Sequence, residues 1–515
     1  MKGIFPHTTK PINKTLFYLP GVLLFFFLIS YSGFSQNKKK IDILHADILD
    51  QNASIDVNAQ RLIGNVELSH DGALMYCDSA YIYSNTNNFD AFGNVKINQG
   101  DSILLHSRNL YYKGDFNEAI AVGNVRLINV KQGTTLTSDT LNYNLDSNIA
   151  FYDDYGKIVD STNTLSSIIG QYFMKQDLVH FYKDVEVLNE DFTLITDTLL
   201  YNTETGVLFI EGPTTIKDST NTIYAEDGWY DSNSGKSELL KNPLIYNETQ
   251  SLKGDTIEYF REEGKGFAYG SVEIMDEKNQ IKVNGNIVMY NKDLSLSMVT
   301  DSALLTLFSD KDTLYLHADT ITSIPDTVAD EKIIRAYRGV RFFRKDIQGA
   351  CDSLLYFTKD STILLHITPI LWAGTRQMTS ELIEMKSMVN APDEVRMYNN
   401  AFIISKQDSI MFDQIKGKNM IGYIKENTLY KIDVDGNGQT LYYAQDKNEI
   451  IGLNSTESSK ITILFKEGKV DRIKFFSNPE SVLNPLNQLS DEQRRLGGFG
   501  WFANKRPLSK YDVFK

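Results

Sequence analysis

Cysteine is almost missing from this sequence: Cys77 and Cys351 are the only two in 515 residues. That excludes a disulfide-stapled scaffold and a cysteine-built zinc site. Spacing alone leaves open whether the two thiols pair. Proline is scarce as well, at 11 residues, while Tyr and Phe number 28 each, a balance that favours strands over loops or polyproline. Positive charge is in deficit, with 52 Lys and Arg against 66 Asp and Glu and a net charge of −14. An acidic chain repels phosphate backbones, so nucleic acid is not an expected partner. Past the N-terminal segment no apolar run is long enough for a transmembrane helix.

Recognisable catalytic chemistry is missing too. His45, His70, His106, His180, His317 and His366 form no close pair with zinc-ligand spacing. There is no G-x-S-x-G elbow and no G-x-x-x-x-G-K phosphate cradle. Asp433-Val-Asp-Gly-Asn-Gly438 has the look of a calcium loop, but its twelfth position is Ala444 where a bidentate acid is needed, so it reads as a Gly-rich turn. No cofactor, no metal site and no enzymatic activity are expected.

At the N-terminus, Lys2, Lys10 and Lys14 precede an apolar run centred on Val22–Ile29, followed by Ser30, Ser32, Gly33 and Ser35. This order is that of a secretory signal peptide cut after Ser35, with an uncleaved anchor as the alternative. It places the protein in the periplasm, in possible association with the outer membrane.

The strongest signal is internal repetition. Leu62-Ile-Gly-Asn-Val-Glu-Leu68 recurs as Ala91-Phe-Gly-Asn-Val-Lys-Ile97 and Ala121-Val-Gly-Asn-Val-Arg-Leu127. Looser copies begin at Phe181, Ile210, Ala268 and Ala336. Gly64, Gly93 and Gly123 are 29 and 30 residues apart. Between the copies lies a second motif, seen in Asp78-Ser-Ala-Tyr-Ile-Tyr83, Asp139-Thr-Leu-Asn-Tyr143, Asp197-Thr-Leu-Leu-Tyr201 and Asp255-Thr-Ile-Glu-Tyr259. Two motifs on one period imply one continuous architecture over about residues 40–400. Both alternate with period two, which means strands with one face to a core and one to water. Asn85–Asn88 and Asn142–Asn148 supply turn formers, and the repeated glycine marks a strand start or a bulge. The clearest helix candidate is short, capped by Ser490 and stopped by Gly497.

The G-N-V strands at Gly64–Leu68, Gly93–Ile97 and Gly123–Leu127, with the Asp-x-x-x-Tyr strands between them, resemble the OstA-like (organic solvent tolerance protein A-like) family. That family includes periplasmic lipopolysaccharide transport proteins and the N-terminal domain of the outer-membrane translocon subunit. Asp435–Tyr443, Gly498–Phe502 and Arg506-Pro507 are similar to the ends of its longer members. The resemblance implies an all-β, elongated open β-jellyroll of folded antiparallel sheets, here built from repeats of about thirty residues. It also implies a hydrophobic groove that holds the acyl chains of lipid A, and edge strands that pair with other lipopolysaccharide transport proteins or with a second copy. The expected organisation is a signal peptide over 1–35, jellyroll repeats over 36–260, more divergent β repeats over 261–424 and a β-rich cap with a short helix over 425–515. In place of a large barrel, the residues after 300 carry the same water-soluble repeat and a polar tail.

Candidate groove residues follow from the alternation. Val66, Leu68, Val95, Ile97, Val125 and Leu127 come from the first motif, and Tyr83, Leu110, Tyr112, Leu141, Tyr143 and Tyr201 from the second. Tyrosine suits a rim, since its ring is apolar and its hydroxyl is not. Each of these residues fits a plain packed core equally well. A repeat-built polysaccharide enzyme and a structural, adhesin-like solenoid therefore stay open as alternatives. Arg494, Arg495, Lys505 and Arg506 form a basic cluster near the C-terminus, suited to lipid phosphates or an acidic partner, or simply solvated.

Overall fold

The computed structural model describes residues 40–515 apart from 52–58, 101, 292–293, 295, 310–311, 327–330, 389–391, 426–427 and 447–448. The signal-peptide segment lies outside the described residues. Those described form one antiparallel sheet of 38 strands, in which long strands pair with the next through hairpins and split strands, such as Ile149–Tyr152 and Gly156–Val159, share a neighbour. The chain advances along the sheet as a meander, and the molecule is the elongated, all-β jellyroll expected.

Each long strand is bent in its middle by a bulge. In the strand Ala59–His70 the register slips between Ile63 and Val66, where Gly64 and Asn65 both take left-handed backbone angles. The same pair recurs at Gly93 with Asn94 and at Gly123 with Asn124. Such a bulge bends the strand and leaves one residue out of the ladder. Glycine is needed at Gly93 for a second reason: a Cβ there would lie 2.3 Å from the Asp78 carboxylate. That carboxylate accepts from Asn94 Nδ2 at 2.9 Å, as Asp47 does from Asn65 at 3.0 Å. The two sequence motifs therefore meet at one corner, the Asp of one bonding the Asn of the next, which is why they share a period. Asp435-Gly-Asn437 is another such corner, with Gly436 and Asn437 left-handed inside the strand Thr428–Asp446, and not a metal loop.

With every strand bent at the same place, the sheet folds over into two walls joined at the corner. The proof is a contact between opposite ends of non-adjacent strands: His70, at the end of Ala59–His70, meets Tyr112, near the end of Ile103–Lys113, at a ring separation of 5.3 Å. A flat sheet would hold them apart.

The inward side chains form unbroken cross-strand rows. On one wall, called here the aliphatic wall, Leu68, Met75, Ile97, Leu105, Leu127 and Leu136 are successive register partners. The row continues partner by partner through Ile158, Leu165, Val187, Leu194, Ile216 and Ile223 to Phe342. On the facing tyrosine wall the matching row runs Tyr112, Ala119, Tyr143, Ala150, Tyr172, Val179, Tyr201, Leu208 and Tyr230, with a tyrosine on every second strand. Burying these rows supplies the hydrophobic stabilisation, at about 25 cal/mol per Å² of apolar surface. Cys77 and Cys351 are free, buried thiols; burial pushes them up to about 11 and about 12.

The C-terminal segment departs from the expected cap. From Leu486 the chain leaves the last strand and runs back across the outer face of the aliphatic wall. Leu486, Leu489 and Leu496 pack on Leu441, Tyr443 and Leu453, and Phe499 meets Phe412 edge-on with Trp501 tilted against it. Three buried glutamines pin it. Gln414 accepts from Leu496 N at 2.8 Å, Gln377 from Phe502 N at 2.7 Å and Gln348 from Arg506 Nε at 2.8 Å. The strap ends with Val513 fully buried and Phe514 on His317. The helix expected at Ser490 is a single turn. Ser490 and Gln493 do exchange capping bonds, but Leu496 N is taken by Gln414 instead of a helical carbonyl. The basic cluster is structural here: Arg494 donates to Leu486 O and Arg506 to Gly374 O, while Arg495 and Lys505 lie over Phe499 and Phe502.

Candidate lipid groove

The space between the walls opens on the side away from the corners, between two rims of hairpin turns. Of the candidate residues, Val66, Leu68, Val95, Leu110, Tyr112, Val125, Leu127, Leu141, Tyr143 and Tyr201 are buried in one cluster, with Ile97 half-buried against it. Leu68, Ile97, Leu110, Tyr112, Leu127 and Tyr143 share an apolar slot with about 620 Å³ of unfilled space, counted out to solvent at its mouth. Tyr83 is the exception. Ile82 takes the inward place, and Tyr83 points to the other face, where its hydroxyl donates to Asp90 at 3.2 Å. The bulge near Asp78 recurs in the strand of Tyr112, so through Phe89 it is Ile82 that shares the row position of Tyr112, and Tyr83 lies one residue beyond it.

The inward tyrosines do more than line the space: they cross it. Tyr112 donates to Asn117 Oδ1 on its own rim at 2.9 Å, and its hydroxyl lies 3.0 Å from His70 Nε2 on the opposite rim. Tyr143 makes the same pattern with Asn148 at 2.9 Å and a longer contact to Gln99 at 3.4 Å. Tyr172 donates to Gln132 at 2.9 Å, and Tyr201 donates to the Asp160 carboxylate while accepting from Asn163 Nδ2 at 3.1 Å. Tyr230 ends the series with an edge contact to Phe192 at 4.8 Å. The last hydrogen bond of the series has a carboxylate acceptor and is the strongest in kind. Burial pushes Tyr112 and Tyr143 up to about 12, and raises Tyr201 further with help from Asp160. These hydroxyls therefore stay protonated donors at neutral pH.

Sequence reasoning placed these tyrosines at a rim but missed the latch, because the partners His70, Gln99, Gln132 and Asp160 sit about three strands back along the sheet with no motif of their own. Their separations of 42, 44, 40 and 41 residues are the signal that could have found them.

With this geometry in hand, comparison with known proteins is informative. The family described as OstA-like protein matches residues 38–197. Residues 38–197 are OstA-like. No curated protein matches the chain. Among solved structures, a similar one is LptH, described as the LptA homologous periplasmic component of the conserved lipopolysaccharide transport device from Pseudomonas aeruginosa. It is 15% identical, over 23% of this chain and 82% of that one, with a TM-score of 0.21. The OstA-like match ends near Tyr201, yet both wall rows run on past it without a break in register. Among the described residues no three His, Cys, Asp or Glu side chains are grouped to hold a metal ion, and no helix is long and apolar enough to cross a membrane.

Proposed function

We propose that this protein is a periplasmic lipid carrier that takes lipopolysaccharide toward the outer membrane, sheltering acyl chains between its two walls. One observation carries the reading: an inward apolar row continuous from Leu68 to Phe342, facing a second inward row on the folded-over wall. Each methylene moved from water into such a groove is worth about 0.8 kcal/mol, so a lipid with several chains cannot cross water without one. The OstA-like match supports lipopolysaccharide as the cargo, and the edge strands at both ends suit pairing with other transport proteins or a second copy. On this reading the chain is not an enzyme. A scaffold role is the second reading, favoured by the burial of Val125, Leu127 and Leu141 among their own neighbours.

Purification from a lipopolysaccharide-producing Gram-negative host, followed by mass spectrometry of the organic extract, tests it. Lipid A species bound in stoichiometric amount are expected. An extract without lipid, from protein that melts cooperatively, favours the scaffold; cleavage of polysaccharide favours an enzyme.

A further inference from the structure

We infer that the acyl-chain seat of this groove is not in the OstA-like repeats but in the stretch after them, along Ile245, Leu252, Ile274 and Val283. The inference rests on the carrier reading above and says where on this chain the cargo lies.

These four residues are consecutive partners in the aliphatic row. Before them Leu194, Ile216 and Ile223 are buried, and after them Leu305, Leu316 and Phe342 are buried again. The four between are only half-buried, although they face the same interior. The cause is on the facing wall. Counting three strands along the sheet, as from the strand of His70 to that of Tyr112, brings the facing row Tyr290, Ser297, Ser323 and Ile334 opposite them in turn. Ser297 and Ser323 are too small to fill the gap. Tyr290 occupies the row position of Tyr112 and Tyr201, yet it is 40% exposed instead of reaching across. Half-exposing four adjacent branched side chains forfeits burial worth about 25 cal/mol per Å², and a bound chain would recover it.

The occupant's chemistry follows from the walls. Through this stretch the strands Leu244–Tyr246, Gln250–Lys253, Lys265–Asp276, Ile281–Asn291 and Leu296–Leu307 are paired with a neighbour on both edges, apart from the bulges at the corner. A peptide strand entering the gap would find no free backbone groups to bond. Hydrocarbon needs none and asks only for a dry apolar surface. The strip is continuous with the interior already described, so a chain lying on it extends the same core.

The test places the photo-crosslinker benzoylphenylalanine at Val283 or at Ile97 in the full chain. Ile97 is the fair rival, being half-buried in the slot of the OstA-like repeats. Each protein is irradiated with purified lipopolysaccharide, and in a second arm with phosphatidylethanolamine vesicles. Labelling by lipopolysaccharide at Val283, several-fold above Ile97, is the expected result; labelling in the vesicle arm identifies an ordinary phospholipid as the source of the chain. The double variant Ser297→Phe with Ser323→Phe fills the gap, and it is expected to cut labelling at Val283 several-fold while the thermal melt is kept. Labelling at Ile97 with none at Val283, or labelling at Val283 unchanged by the double variant, overturns the seat and leaves the carrier role standing. No labelling at either position, with either lipid, overturns both.

Discussion

Two regions of this molecule use the same bent strand in different ways. In the repeats from Ala59 to Tyr230, one face of each wall meets water, and the mouth is closed by tyrosines bonding across it. In the region from Leu314 to the C-terminus, the outer face of the aliphatic wall is itself covered by the strap, and Trp372, Phe402 and Ile404 are buried on that second face. The difference shows in the sequence texture. Gly93-Asn-Val-Lys-Ile97 alternates, while Ile370-Leu-Trp372 and Ala401-Phe-Ile-Ile404 do not. A strand covered on both faces reads as a continuous apolar run. Those runs are the mark left by the strap, and they say that a second layer exists without saying which segment supplies it.

Trp372→Ala should give the largest effect. The ring is wholly buried beneath the strap, and its loss should cost about 3–5 kcal/mol. Hydrogen exchange should show the loss confined to residues beyond about 315, with protection of the latched repeats unchanged. Equal loss of protection in both regions would merge them into one cooperative unit and end the comparison.

Tyr201→Phe should cost about 1–3 kcal/mol by denaturant unfolding, because Asp160 and Asn163 lose a shared buried partner. If it proves neutral, the latch is ornamental and the tyrosines are ordinary core.

Asp413, in the strapped region, offers a handle on pH. Burial raises its carboxyl to about 6, against partial compensation from the Tyr443 N–H, Gln407 and Arg376. A folded value above the unfolded one means the native state takes up the proton more readily. The stabilisation is therefore complete below about pH 4 and is lost as pH rises through about 6. Stability of the strapped half should rise on acidification from pH 7 to 5, by no more than about 1.4 kcal/mol per pH unit. Asp413→Asn should flatten that slope; a slope unchanged in the variant would assign it to another group.

The smallest effects should separate latch from seat. Tyr143→Phe should cost about 0.5–1.5 kcal/mol, since its cross-mouth contact is long but its bond to Asn148 is good. Tyr290→Phe, half-exposed, should stay within about 0.5 kcal/mol of wild type. Unfolding midpoints of the two variants would reverse that order only if Tyr290 also reaches the opposite rim.

The strands, their period and most inward residues were legible before any coordinates. Val66, Val95 and Val125 follow the Gly-Asn corner directly, and alternation assigns them from there. Tyr83 was misassigned because its copy of the motif carries the tyrosine one residue late: Ile82 holds the place that Tyr143 holds in Asp139–Tyr143. The latches were hidden because His70 and Tyr112 are neighbours only when the sheet folds over. The helix at Ser490 failed because capping residues describe how a helix begins, while a buried glutamine elsewhere decided that it should not continue.

What the sequence determined by itself is the repeat: local steric preference at Gly-Asn pairs and the two-residue period of a strand are short-range, and each copy carries them whole. What only the tertiary structure decided is whether the space between the walls is full or empty. That depends on side chains some forty residues apart meeting across the interior, as Tyr201 meets Asp160. No pattern within a single strand encodes such a meeting, because the distance between the walls is set by every other pair at once.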